Sequence, residues 1–305
     1  MTTSRVRTAH AATAVGVIAI FLWSCLALLT TLTEGIPPFE LLTLSFGVAF
    51  AASLMILGRR GLSGFRSWRQ PWAVWATGFV GIFVYHALYF FALKSAPAAE
   101  ASLINYLWPL LLVLLSAFAA GEKLHKRQVL GAVLGLAGTA FIMQQRGTET
   151  SAATPFAGYL AAFGCAVIWA GYSVFNRRFS EVPSSTIGGI CGMSAAAGLV
   201  CHWVLETTIW PNASQWTAII VLGLGPAGLA FFAWDHATKH GSLPTLGALS
   251  YLAPLISTVL LILVGRSHAS PILMIPALLI IAGAVIATSQ PIGKAPATPS
   301  MVSHD

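Results

Sequence analysis

Hydrophobic positions along this chain fall in long unbroken blocks, and polar residues gather in short clusters between them. Neither the period of an amphipathic surface helix nor the alternation of a half-buried strand describes such blocks. A helix rises 1.5 Å per residue, so crossing a hydrocarbon layer of roughly 30 Å takes about 20 apolar residues. Ten segments meet that length within a few residues: 11–32, 38–57, 71–93, 97–119, 127–144, 156–176, 185–205, 213–235, 243–264 and 270–289.

Composition supports the same reading. Charged residues make up 8% of 305 positions and the mean hydropathy is +0.80, against roughly 25% charge in a soluble globular chain. The first block follows Arg5 and Arg7 but exceeds the signal-peptide core of about 7–15 residues, so it is expected to be retained. Outside the blocks only turns and two tails remain, which leaves no room for a soluble catalytic domain. No HExxH or GxSxG pattern occurs, and an enzyme is not expected.

The net charge of +7 would suggest nucleic acid in a soluble protein. Here the basic residues lie in the turns, and their distribution reads as topology. With the N-terminus inside, Arg5, Arg7, Arg59, Arg60, Arg66, Arg69, Lys123, Lys126, Arg127, Arg177, Arg178, Lys239 and Lys294 are cytoplasmic, while Lys94, Arg146 and Arg266 are outside. Thirteen against three is the bias expected when positive residues resist translocation. Both termini are then cytoplasmic. Cys25, Cys165, Cys191 and Cys201 lie within blocks without metal-ligand spacing and are expected to be packing residues, so neither metal nor cofactor is expected.

The chain also repeats. A shift of about 145 residues aligns Trp23 with Trp169, Pro37 with Pro183, Ala92–Lys94 with Ala237–Lys239, Tyr106 with Tyr251, Pro109 with Pro254 and Gly138 with Gly283. Residues 1–145 and 146–305 therefore read as two five-helix repeats. Five crossings end on the side opposite their start, so the second repeat must be inverted. The expected fold is an all-α membrane protein of ten transmembrane helices in two inverted five-helix repeats, an arrangement suited to alternating access.

Pro109 and Pro254 interrupt the fourth and ninth blocks at matched positions. Each removes an N–H donor and crowds the carbonyl four residues earlier, on Asn105 and Ser250. A freed carbonyl is costly against lipid, so both breaks are expected to face inward, beside a hydrogen-bonding side chain. Tyr85 and Tyr89 share a helix face one turn apart. Trp23 and Trp169 sit mid-block, away from the interfacial belts where Trp concentrates. With Tyr106 and Trp108 these residues are candidates for an aromatic box around a substrate, ordinary interhelical packing being the competing reading. Trp68, Trp72, Trp75, Trp210 and Trp216 read as interfacial anchors, whereas Trp203 and Trp234 stay undecided, Trp234 aligning with Tyr89. Among the ionisable residues His86, Lys94, Glu100, His202, Asp235, His236 and Lys239, a solvated helix end is expected for Lys94, Glu100 and Lys239. No carboxylate–basic relay stands out by spacing.

The early Trp in the first helix of each repeat, the Ala-Leu-Lys and Ala-Thr-Lys ends of the third, and Tyr-Leu-x-Pro in the fourth resemble the EamA-type drug/metabolite transporter superfamily over roughly residues 10 to 290. Within it, Tyr85-x-x-x-Tyr89, Tyr106-x-Trp108-Pro109 and Trp169 look most like the bacterial aromatic amino acid exporters. The resemblance implies an inner-membrane, multi-pass exporter of aromatic amino acids, with other neutral amino acids in its range and a small-molecule substrate as its partner besides the lipid bilayer. The lack of a mid-span carboxylate favours a neutral or zwitterionic solute over a drug-like cation, and the lack of a visible relay favours facilitated over tightly proton-coupled export. Other amphiphilic metabolites remain the alternative cargo. The sequence leaves the oligomeric state open, a monomer being compatible with the repeat.

Overall fold

The computed structural model describes residues 2–120, 125–144, 155–265 and 274–288, and every regular element among them is helical. The predicted 145–155 turn lies almost wholly outside the described residues, as do Lys123, Arg146, Arg266 and Lys294.

Prolines and caps set where helices begin. The helix α1 (Thr2–Ser24) is followed after a one-residue turn by α2 (Leu26–Thr31), and α3 (Pro38–Gly58) starts on a proline whose missing N–H costs nothing at a first turn. A short 3-10 segment, Gly61–Trp68, leads to α4 (Trp72–Phe79), which starts after Pro71. Helices α5 (Tyr85–Ser95), α6 (Ala98–Asn105) and α7 (Trp108–Ala120) follow, then α8 (Lys126–Gln144). In the second part of the chain come α9 (Phe156–Phe175), α10 (Thr186–Leu205), α11 (Ala213–Leu224), α12 (Ala230–His240), α13 (Leu243–Ser250), α14 (Leu252–Leu263) and α15 (Met274–Thr288). At the start of α11, Asn212 and Gln215 form a reciprocal capping box.

Two kinds of break recur about 145 residues apart, matching the sequence repeat. A π-helical turn, Val80–Val84, joins α4 to α5, and another, Gly225–Leu229, joins α11 to α12. The second has a visible cause in Pro226, which cannot donate to the preceding turn. The fourth predicted segment breaks at Tyr106–Leu107 between α6 and α7, and its counterpart breaks at Tyr251 between α13 and α14. These interruptions fall directly after Asn105 and Ser250, where the prolines place them.

Eight helical stretches are long and apolar enough to cross a membrane. The fifth predicted span forms a 19-residue helix, α8, and the tenth a 15-residue helix, α15, but neither reaches that standard over the described residues. Fully apolar side chains point outward at many positions, with Trp72 80%, Phe118 88% and Trp210 84% exposed. In a chain of this composition that surface is solvated by lipid.

The packing interleaves distant parts of the chain. Helix α1 runs along α12 and α13, α9 along α5, α6 and α7, α3 along α10 and α11, and α8 along α15. Small residues let backbones approach: a Cβ on Gly283 would lie 2.6 Å from the Gly131 carbonyl oxygen, and one on Gly247 2.8 Å from that of Pro109. The main core gathers where α1, α5, α7, α9 and α12 converge, and it is aromatic.

Candidate functional site

Trp169 on α9 is the hub of this cluster, 5% exposed. Its ring centroid lies 5.4 Å from Trp23 on α1, 5.5 Å from Tyr85 on α5, 6.2 Å from Trp108 on α7, and 5.8 and 6.0 Å from Phe231 and Trp234 on α12. Most pairs meet edge to face, as the ring quadrupoles favour, while Trp234 stacks on Trp169 at 22°. Two of the four indoles are tied: Trp23 Nε1 donates to the Pro226 carbonyl at 3.1 Å and Trp234 Nε1 to Ser173 Oγ at 3.0 Å. The first bond uses an acceptor of the π-helical turn, so one break in α11–α12 anchors a tryptophan from α1. Among the described residues, no hydrogen bond is seen from the Trp108 or Trp169 indoles.

Beside the hub, α5 and α6 form two polar rungs. Tyr85 stacks on Tyr89 with centroids 6.1 Å apart. The Tyr85 hydroxyl accepts from Asn105 Nδ2 at 2.9 Å, and the Tyr89 hydroxyl lies 3.0 Å from Ser102 Oγ. Spacing of one turn on each helix brings the rungs into register. Asn105 is 6% exposed and its Oδ1 has no hydrogen-bond partner among the described residues.

The two breaked helices meet. Pro109 and Pro254 are buried, as expected for inward-facing kinks. Tyr251 Oη donates to the Tyr106 carbonyl at 3.3 Å, joining residues that the repeat aligns. Ser250 departs from its expected part: its hydroxyl donates at 2.7 Å to Leu246 O of its own helix, so the α13–α14 break presents no spare side-chain donor. Tyr106 is half-buried and contributes its carbonyl at this junction.

The candidate residues Trp23, Tyr85, Tyr89, Trp108 and Trp169 are thus brought together, with Asn105 bonded to the group and Ser250 turned to its own backbone. Pattern reading missed Phe231, and it left Trp234 undecided although it is 0% exposed. Their alignment with His86 and Tyr89 was the available signal. His86 also joins, its ring 5.5 Å from Phe46 and 6.2 Å from Phe231, and its Nδ1 2.6 Å from Ile82 O. Trp68 and Trp75 also pack within the protein. Trp68 Nε1 donates to Ser185 O at 3.1 Å and its ring stacks on Phe50, while the Trp75 ring lies where a Cβ on Gly189 would be. Trp203 is 72% exposed and faces outward.

Two buried charged clusters correct the expectation of solvated ends. Lys239 is 7% exposed and its Nζ sits 2.8 Å from Asp235 Oδ2, one turn earlier, and 2.9 Å from Val182 O. Asn176 Nδ2 donates to the other Asp235 oxygen at 2.9 Å, and the Arg177 guanidinium closes the group by donating to the Gly241 carbonyl. Spacing singled out no carboxylate–basic pair in the sequence, yet Asp235 and Lys239 stand one helical turn apart and the fold buries both. At the other end of the molecule His202 Nδ1 lies 3.0 Å from Glu206 and Nε2 2.9 Å from Thr208 Oγ1 and 3.9 Å from Glu40. Glu206 in turn accepts from the Phe39 and Glu40 backbone N–H groups at 3.0 and 3.1 Å, capping α3 from a distant segment. Glu100 is half-buried and accepts from the Tyr159 hydroxyl rather than standing in solvent. The four cysteines are free, with Cys165 and Cys191 buried as packing residues.

Comparison with known proteins places this geometry in a lineage. The aromatic amino acid exporter YddG of Ancylobacter novellus is 47% identical over 278 residues, covering 91% of this chain and 96% of that one. The protein of the same name from Escherichia coli is 27% identical, covering 83% and 88%, and a probable terminal-alkyne amino-acid exporter of Streptantibioticus cattleyicolor is 23% identical, covering 71% and 73%. A crystal structure at 47% identity superimposes with a TM-score of 0.86 over 92% of this chain and 96% of its own. The profile of the EamA-like transporter family matches twice, over residues 11–144 and 156–289. Two matched segments, each carrying a π-helical turn and a broken fourth helix, and together spanning nearly all of a membrane-embedded helical chain, make this protein a member of the EamA-like transporter family.

Proposed function

We propose that this protein exports aromatic amino acids, with other neutral amino acids in its range, across a bacterial inner membrane by alternating access. The observation that carries the reading is the ring cluster around Trp169, built from five helices of both halves of the chain. A substrate ring can replace one of these mutual ring contacts by an equivalent one, so recognition and gating use the same surfaces. Relatives bearing the name of aromatic amino acid exporter support the choice of cargo.

In this reading α8 and α15 also cross the bilayer, giving ten spans in two inverted repeats, 1–145 and 146–305, with both termini cytoplasmic. The paired breaks support it, as does the exchange by which α1 packs on α12 and α9 on α5. Relative rotation of two such units opens one side while closing the other. Asp235 is neutralised by Lys239 and Asn176, so it offers no free charge to a cationic drug. The Glu40–His202–Glu206 group sits at helix ends, away from the rings, and export is accordingly proposed as facilitated, down the solute gradient.

Counterflow in proteoliposomes tests this. The protein should exchange labelled phenylalanine for phenylalanine, tyrosine or tryptophan, and exchange alanine or organic cations less well. Trp108→Ala or Tyr106→Ala should lose several-fold or more of the aromatic rate and less of the alanine or threonine rate. Equal losses for both groups would replace the aromatic reading with that of a broader metabolite exporter.

A further inference from the structure

We infer that Asn105 is the receptor for the substrate's ammonium group. The inference rests on the aromatic-export reading above and adds what holds the polar end of the solute. Buried carbonyl oxygens are normally satisfied, and one left alone within a well-packed protein requires a physical explanation. Asn105 Oδ1 is such an atom: the side chain is 94% buried, tied through Nδ2 to the Tyr85 hydroxyl at 2.9 Å, and unpartnered at Oδ1.

The backbone at the same residue points to the same ligand charge. Around the break, Ile104 O accepts from Leu107 N at 3.1 Å and Tyr106 O from the Tyr251 hydroxyl at 3.3 Å. The carbonyl of Asn105 would take its donor from residue 109, which is proline and has none. Asn105 is also the last residue of α6, at the break before α7 begins at Trp108. Two oxygens of one residue therefore stand without a donor among the described residues, the side-chain Oδ1 and the backbone carbonyl that Pro109 cannot serve. No carboxylate is needed for this, so the site takes an ammonium group through neutral oxygens alone.

Position completes the case. Tyr85, the partner of Asn105, lies 5.5 Å by centroid from Trp169. In an aromatic amino acid the ammonium and the ring are separated by Cα and Cβ, so a ring held at Trp169 can reach Tyr85 and Asn105 with its amine. The aligned break at Ser250 lacks the proline-blocked donor in the same way but carries no side-chain orphan, because its hydroxyl is bound to Leu246 O. The receptor belongs to one half of the repeat only, which gives the solute one orientation.

The test is ligand binding to the full-length protein in detergent, read by quenching of tryptophan fluorescence, with phenylalanine, phenethylamine and 3-phenylpropionate. Phenethylamine lacks the carboxylate and 3-phenylpropionate lacks the amine. Asn105→Leu should weaken phenylalanine and phenethylamine about tenfold or more, the scale of a lost hydrogen bond to a charged group, and leave 3-phenylpropionate unchanged. Asn105→Asp, which keeps acceptors at both ends, should retain both amines and guards against a folding defect in the leucine variant. Equal weakening of all three ligands, or of none, would overturn the assignment and leave Asn105 as a tie for Tyr85. Weakening of 3-phenylpropionate alone would assign the amide to the carboxylate instead. Failure of the wild-type protein to bind any of the three would refute the aromatic reading itself, and this inference with it.

Discussion

The buried pair of Asp235 and Lys239 allows a quantitative test of how the C-terminal end of α12 is held. Both side chains are 3% exposed and their charged atoms are 2.8 Å apart. Each has one further partner, Asn176 Nδ2 for the carboxylate and Val182 O for the ammonium. Lys239→Met removes the positive charge while keeping most of the hydrocarbon stem, so the buried Asp235 carboxylate is left with a single amide donor. Breaking one side of such a pair costs about 3–5 kcal/mol, whereas exchanging both partners for apolar residues of similar volume is often neutral. Asp235→Leu should cost a similar amount, for the mirror reason. The double variant should lose less than either single one. Unfolding in mixed micelles titrated with SDS, followed by tryptophan fluorescence, gives the four free energies of the cycle. Additive losses, or single variants within about 1 kcal/mol of wild type as found for exposed pairs, would show that the pair is solvated and that its burial has no energetic weight.

Other outcomes follow from contacts of the same kind. Gly247→Ala places a Cβ 2.8 Å from the Pro109 carbonyl oxygen and 3.0 Å from Val113 Cγ2, so the two broken helices must separate; the expected cost is about 1–3 kcal/mol in the same unfolding assay, and a neutral variant would refute the close approach. Glu206→Gln deprives one of the two backbone N–H groups at the start of α3 of its acceptor, with an expected loss of about 1–3 kcal/mol; stability equal to wild type would mean that water caps this helix. Pro109→Ala and Pro254→Ala restore a donor at each break and should insert normally but turn over more slowly, and wild-type counterflow rates would remove the breaks from the mechanism. Single cysteines in the Gly61–Trp68 segment should react only from the cytoplasmic side; labelling near Ser63 from the periplasm would sink the proposed topology.

Much of the architecture was legible without coordinates, because lipid imposes simple rules. A backbone that cannot bond to water must form helices of a set length, so block length and missing charge alone led to an all-helical membrane protein. Proline acts locally, through its own ring and its own missing donor, and so the breaks next to Asn105 and Ser250 appeared where the sequence put them. The mid-block tryptophans also carried a signal, since both Trp23 and Trp169 enter the aromatic core, although only the Trp23 indole N–H has a hydrogen-bond partner among the described residues. What a helix does with its remaining faces is not local. Lys239 and Lys94 occupy aligned positions, yet Lys239 is buried on Asp235 while Lys94 is exposed, because Phe90 stands where the repeat would place the aspartate. Ser250 and Asn105 sit equally close to a break, but the shorter side chain reaches only its own helix while the longer one spans to Tyr85. Trp234, Phe231 and His86 joined the aromatic cluster, and Trp68 met Phe50 and Ser185, only once α1 was laid on α12, α9 on α5 and α3 on α10. The sequence by itself determined the helices, their breaks and the repeat, since each depends on neighbours along the chain and on the solvent. Which side chains share a site was decided by the tertiary structure alone, since helix rotation and crossing are set by packing between segments more than a hundred residues apart.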